Sequence, residues 1–314
     1  MSFQPPRPAP TEEEIRRRRI IAFSALGAAF VLLLLAVVLA VAGSGGDNSG
    51  GQAAQQETQA TTPKKKAKKP KPAAPGFPAV PATAPGAHKA PNEAVPILVY
   101  NVIKEPQPDT ANPEDWVPPN EFSEAMDYLA KQGFHAVTLR QVWAAWKENG
   151  LLPSKPVVIS FDTGYHSVLA NALPVLRGHE WTATLFLQAS QTEADFPADQ
   201  VKTLLEAGWE LGAQGQSGAD LTGLSDEELD AEVVGARRAL QRDFNAKVEF
   251  FSYPQGSFDE RIAQAVEAAG YLGAATLDEG LATPDQPYEL KRIPIKNGDG
   301  EQGLAEKLQS AGVS

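Results

Sequence analysis

From Ile20 to Ala42 the chain runs for 23 residues without a charge. A polar stretch follows, with Phe77 and Val80 as its sizeable apolar side chains, and from Val95 onward short apolar runs alternate with helical stripes. The runs at 95–100, 136–138, 157–161, 183–187, 210–212, 248–252, 271–277 and 290–295 predict strands. The run at 157–161 is continuous and rich in β-branched residues, as in a strand buried on both faces. Between them, Asn120 is placed to cap a helix bearing Phe122, Met126, Leu129 and Ala130 on one stripe. Thr138-Leu139-Arg140-Gln141 fits a capping box ahead of Val142, Trp143 and Trp146. Helical stripes follow through Leu169–Leu176 and Val201–Leu205. Ser225-Asp226-Glu227-Glu228 fits a second capping box and opens the longest helix, and 258–269 reads as another. Such alternation predicts an α/β domain, a parallel sheet with helical crossovers closed or nearly closed into a (β/α) barrel.

The first 93 residues read differently. As a helix, 20–42 spans roughly 34 Å, enough to cross the hydrocarbon core of a bilayer. Arg16, Arg17, Arg18 and Arg19 abut its N-terminal end, so the positive-inside rule puts residues 1–19 in the cytoplasm as a basic tail and all that follows outside. Ala40-Val41-Ala42 resembles a cleavage site, but the apolar run is too long for a signal peptide, so an uncleaved single-pass anchor is expected. Residues 43–93, rich in Gly, Gln, Thr, Ala and Pro, are expected to be a disordered linker, and 94–314 the folded domain. The run from Lys64 to Lys71 reads as a solvated spacer, or as a contact for an anionic surface outside the membrane.

Charge sharpens this division. The net −11 combines an N-terminal part (residues 1–93) carrying 12 Lys and Arg against 6 Asp and Glu with a remainder carrying 16 against 33. An acidic outer domain argues against a nucleic-acid partner. The chain has no cysteine, which excludes disulfides, thiol nucleophiles and Cys-ligated metals, and four histidines.

In a parallel barrel, chemistry belongs at the C-terminal ends of the strands. There the chain shows Val95-Pro96-Ile97-Leu98-Val99-Tyr100, Ser160-Phe161-Asp162-Thr163-Gly164-Tyr165 and Gly208-Trp209-Glu210-Leu211-Gly212-Ala213-Gln214. Phe251-Ser252-Tyr253-Pro254-Gln255-Gly256 and Leu290-Lys291-Arg292-Ile293 complete the series. In these five motifs the chain resembles the polysaccharide deacetylases with the NodB homology domain, carbohydrate esterase family 4, and within them the poly-N-acetylglucosamine-deacetylase-like branch. The resemblance implies a distorted (β/α) barrel of the NodB type and metal-assisted hydrolysis of a sugar acetamide. It places the family's general base at Asp162 and the family's metal ligands, an aspartate and two histidines, at Thr163, Gln214 and Gly218. It also places a histidine of that branch at Asn101, and a late histidine acid that has no counterpart after His179.

A hydroxyl, an amide and a residue without a side chain cannot replace a carboxylate and two imidazoles around zinc. No cofactor is therefore expected, and the four histidines, His88, His135, His166 and His179, all miss the motif positions. The reading is a membrane-anchored, catalytically silent domain that binds cell-wall or extracellular N-acetylated glycan, with Tyr100, Asn101, Gln214 and Tyr253 as contacts. Asp162 remains at the base position. Core packing is the competing role for Tyr253, and the stronger one for Trp209, Trp143 and Trp146. The alternative function is an active carbohydrate deacetylase using Asp162 with an atypical metal or none. A scaffold that captures proteins through its acidic surface is a third.

Overall fold

The computed structural model describes residues 78–193 and 196–313. The basic tail, the apolar span at 20–42 and the lysine run lie outside the described residues. No helix among the described residues is long and apolar enough to cross a membrane.

The strands are β1 (Ile97–Tyr100), β2 (Val102–Ile103), β3 (Trp116–Val117), β4 (His135–Ala136), β5 (Pro156–Thr163), β6 (Thr184–Leu187), β7 (Glu210–Ala213), β8 (Phe250–Ser252), β9 (Gly273–Glu279) and β10 (Leu290–Pro294). Seven of them, in the order β1-β10-β9-β8-β7-β6-β5, are parallel, and β1 pairs back onto β5 from Ile97↔Val158 to Tyr100↔Phe161. The barrel is thus closed, as the alternation predicts. β4 lies against the first residues of β5, and β2 and β3 form a separate parallel pair beyond the end of β1.

Strand side chains alternate between two faces. Phe161, Leu185, Leu211 and Phe251 point outward, where they share one core with Phe122, Met126 and Leu129 of the helix Pro119–Lys131 and with Leu176, Leu204 and Leu240 of later helices. Ile97, Val158, Phe186, Phe250 and Leu290 belong to a second core that fills the barrel. Gly212 is required there, because a Cβ on it would stand 2.5 Å from the Phe186 ring.

Both predicted capping boxes form, at Thr138/Gln141 and at Ser225/Glu228. The first starts the helix Leu139–Lys147, which closes the bottom of the barrel. Its Trp146 is buried and its Trp143 meets Phe250 edge-on at 6.4 Å, so both are core residues. The helix opened by Ser225 runs through Asp226–Asp230, a π turn at Ala231–Gly235, and Ala236–Phe244. The helix Gly300–Ser310, which the apolar pattern did not announce, packs Leu304 and Leu308 into the outer core.

The linker boundary expected at 93 is corrected. Residues 78–93 are ordered against the barrel's lower end, because Val80 and Ala90 pack into the inner core and His88 forms a bridge with Leu152. Val95 bridges to Ala282 in the same way. The Pro78 carbonyl accepts a hydrogen bond from Gln141 Nε2 at 3.0 Å, so the described chain begins under the N-terminal ends of the strands.

Candidate functional site

The opposite end holds a cleft of about 400 Å³, within the range of small-molecule sites. Residues just past the strand ends line it: Asn101, Asp162 with Thr163, Gln188, Gln214 with Gly218, and Gln255. The segment between β1 and the helix Pro119–Lys131 adds Asn112, Asp115 and Trp116 as another wall. Closure of the barrel is what gathers these residues from positions more than 150 apart in sequence.

Asp162 is buried at the floor and ends the inward-facing row of β5. Arg292, fully buried on β10, donates to it through Nη1 to Oδ1 at 2.8 Å and Nη2 to Oδ2 at 2.9 Å. Ser252 Oγ adds a third bond to Oδ2 at 3.1 Å. Arg292 Nε donates to the Thr276 carbonyl at 2.6 Å, and the guanidinium carbon lies 5.7 Å from the centre of the Phe186 ring. The carboxylate is therefore held by a planar fork that the barrel interior itself supports.

The adjoining positions do not fit a metal. Thr163 donates from Oγ1 to Gln214 Oε1 at 3.1 Å, so two of the positions that the family resemblance assigns to ligands satisfy each other. Thr163 sits at φ 76°, in the left-handed region that β-branched residues disfavour. At Gly218, φ 75°, a Cβ would stand 2.2 Å from Gln188 Nε2, so the Gln188 amide fills the space where the third ligand's side chain would begin. Among the described residues, no group of three or more His, Asp and Glu could hold a metal ion. His135 bonds the Ser154 carbonyl, His166 bonds Gln200 from an exposed position, and His179 pairs with Asp127 at 3.1 Å.

Of the four expected glycan contacts, Asn101 and Gln214 line the cleft and the two tyrosines do not. Tyr100 and Tyr253 are fully buried. The alternation of β5 explains the first, because Tyr100 is in register with outward-facing Phe161 and stacks on it at 5.8 Å. Tyr253 stacks on Phe258 at 4.6 Å and donates its hydroxyl to the Tyr288 carbonyl. Burial pushes both phenols up from their ordinary value. Trp209 likewise stacks on Phe161, at 5.2 Å, beneath the helices. These three aromatics belong to the outer core, and the expectation that Tyr100 and Tyr253 meet sugar is corrected.

Sequence reasoning missed Asn112, Asp115, Trp116, Gln188 and Gln255 as cleft residues, and Arg292 as the partner of Asp162. Arg292 carried a signal: it stands two residues after Leu290 on a strand, on the same buried face, and an inward cation needs an acid.

Comparison with known proteins agrees with this architecture. Residues 149–274 match the model of the polysaccharide deacetylase family. A Bacillus subtilis protein named as a polysaccharide deacetylase, YxkH, is 25% identical over 219 residues, covering 69% of this chain and 76% of its own. The poly-β-1,6-N-acetyl-D-glucosamine N-deacetylase of Staphylococcus epidermidis is 24% identical over 203 residues, covering 59% of this chain and 70% of its own. The Streptococcus pyogenes deacetylase PplD, solved with acetate, shares the fold with a TM-score of 0.64 at 23% identity, over 69% of this chain and 98% of that one. Over its barrel domain this chain is thus similar to the polysaccharide deacetylases in sequence and in fold.

Proposed function

We propose that the domain binds N-acetylated polysaccharide in its cleft without hydrolysing it, outside the cell, on a membrane tether supplied by residues 20–42. The observation that carries this reading is the Thr163–Gln214 hydrogen bond beside Gly218, which leaves neither carboxylate nor imidazole at the three metal positions. Without such ligands no Lewis acid polarises an acetamide carbonyl, and no bound water is activated near neutral pH.

The lining supports a neutral, hydroxyl-rich ligand. Asn101, Asn112, Gln188, Gln214 and Gln255 offer amide donors and acceptors, and Trp116 and Tyr165 offer ring faces. Among the described residues no Lys, Arg or His lines the cleft, and the carboxylates that do are paired, Asp162 with Arg292 and Asp115 with Lys296. The poly-N-acetylglucosamine named for the Staphylococcus epidermidis relative has this chemistry.

Retention of Asp162 favours a second reading, hydrolysis with Asp162 as base. Its oxygens already accept three hydrogen bonds from Arg292 and Ser252, which weighs against proton abstraction from water.

The test is metal analysis of the purified full chain, acetate release from β-1,6-linked N-acetylglucosamine oligomers, and calorimetric binding of the same oligomers. Binding without stoichiometric zinc and without acetate is expected. Zinc held at micromolar affinity or better, together with acetate release, sinks the proposal.

A further inference from the structure

Glu232 stands in the π turn Ala231–Gly235, outside the cleft, and its carboxylate reaches the loop that follows β7. Oε2 accepts the backbone N–H of Gln216 at 2.8 Å and of Ser217 at 3.0 Å, while Oε1 accepts the Ser217 hydroxyl at 2.5 Å. Successive N–H groups turned the same way form an anion-binding concavity, and here the chain fills it with its own carboxylate. The approach is close: a Cβ on Gly215 would stand 2.7 Å from Glu232 Oε2.

The tethered loop carries one wall of the cleft. Gln214 begins it and Gly218 ends it, and both line the cleft. The loop in turn holds its neighbour, since Ala189 N–H donates to the Gly215 carbonyl at 3.1 Å and Ser190 N–H to the Gln216 carbonyl at 2.9 Å. Gln188, whose amide sits over Gly218, is thereby fixed to the same frame. Gly215 and Gly218 both have positive φ, 80° and 75°. Two such glycines within four residues leave a loop with wide conformational freedom unless something outside it sets the geometry.

We infer that Glu232 is the positioning residue of this amide wall, holding residues 214–218, and through them 188–190, in the arrangement that presents Gln188 and Gln214 to a glycan. The role rests on the glycan-binding reading above. Glutamine at 232 keeps an oxygen for the two backbone donors and an amide for the serine hydroxyl, whereas alanine keeps neither.

The test compares the full chain with its Glu232→Ala and Glu232→Gln variants, using calorimetry with a β-1,6-linked N-acetylglucosamine pentamer and amide hydrogen exchange. In Glu232→Ala, affinity is expected to fall about tenfold and the amides of 189, 190, 216 and 217 to lose protection, with the rest of the barrel unchanged. Glu232→Gln is expected to restore most of both. Unchanged protection at 216 and 217 in Glu232→Ala overturns the inference. A wild-type chain that binds while Glu232→Ala binds equally well overturns this role alone. A wild-type chain that binds no pentamer overturns the glycan reading and this role with it.

Discussion

Arg292 and Asp162 meet inside the barrel through two parallel hydrogen bonds, with the guanidinium fully buried and the carboxylate nearly so at the cleft floor. The residue at the position that the resemblance assigns to the general base is thus the counter-ion of a buried cation. Removing it leaves that cation uncompensated, a loss of about 3–5 kcal/mol. Asp162→Ala is expected to lose that much in urea unfolding, and Asp162→Leu combined with Arg292→Met to recover most of it. A double variant as unstable as Asp162→Ala alone would show that the pair is not the cause. Loss of glycan binding in Asp162→Ala is accordingly no sign of catalysis.

Gly218 and Gln188 form a coupled pair. Gly218→Ala is expected to cost about 1–2 kcal/mol, from the left-handed backbone and from displacement of the Gln188 amide. In a Gln188→Ala background the displacement part vanishes and the backbone part stays, so a double-mutant cycle on unfolding free energies should show positive coupling. For the same reason, Thr163→Asp, Gln214→His and Gly218→His together should bind zinc more tightly once Gln188→Ala is added. Equal zinc affinities with and without the fourth change would remove Gln188 as an obstacle.

At the other end of the barrel Glu210 is buried beneath the inner core. Burial pushes its carboxyl up to about 8 and the charge of Glu249 adds to the rise, while the Thr184 hydroxyl and the N–H groups of Leu139 and Arg140 pull it down. A group protonated more readily when folded contributes stability that is complete below its unfolded value near 4.5 and is lost as pH rises through about 8. Unfolding free energy should therefore fall across that window, by up to about 1.4 kcal/mol per pH unit. Glu210→Gln should flatten this component of the profile. A wild-type profile level from pH 5 to 8 would contradict it.

The aromatics separate binding from packing. Trp116→Ala should weaken oligomer affinity about tenfold in calorimetry, whereas Tyr100→Phe and Tyr253→Phe should leave it unchanged. Their stabilities should diverge. The Tyr100 hydroxyl is buried without a hydrogen-bond partner among the described residues, so its removal is neutral or stabilising by up to about 1 kcal/mol. Tyr253→Phe loses the bond to Tyr288 and should cost about 1 kcal/mol. Reduced affinity in either phenylalanine variant would return that tyrosine to the list of sugar contacts.

Periodicity and capping chemistry made the barrel legible, because each strand-helix unit is a local pattern and both capping boxes are four-residue signals. Motif order made the strand-end positions legible too, from Asp162 to Gln214. What stayed hidden depends on closure. No local pattern brings Arg292 to Asp162 or lays Gln188 over Gly218. Tyr100 depends on closure too: with Asp162 inward, alternation turns Phe161 outward, and the β1–β5 register turns Tyr100 with it. Proximity to a strand end says nothing of which face a side chain occupies. The strap at 78–93 was hidden by its composition, since Val80 and Ala90 are its apolar contributions to the inner core.

That strap also gives the domain a polarity. The chain enters beneath the strands, where Pro78 meets Gln141, while the cleft opens past their far ends. A protein held on a sensor surface by this lower end of the barrel therefore presents the cleft to the solution. Immobilised this way, the cleft is reachable by a polymer too large to diffuse around the barrel, so long chains can be compared with short oligomers on the same surface.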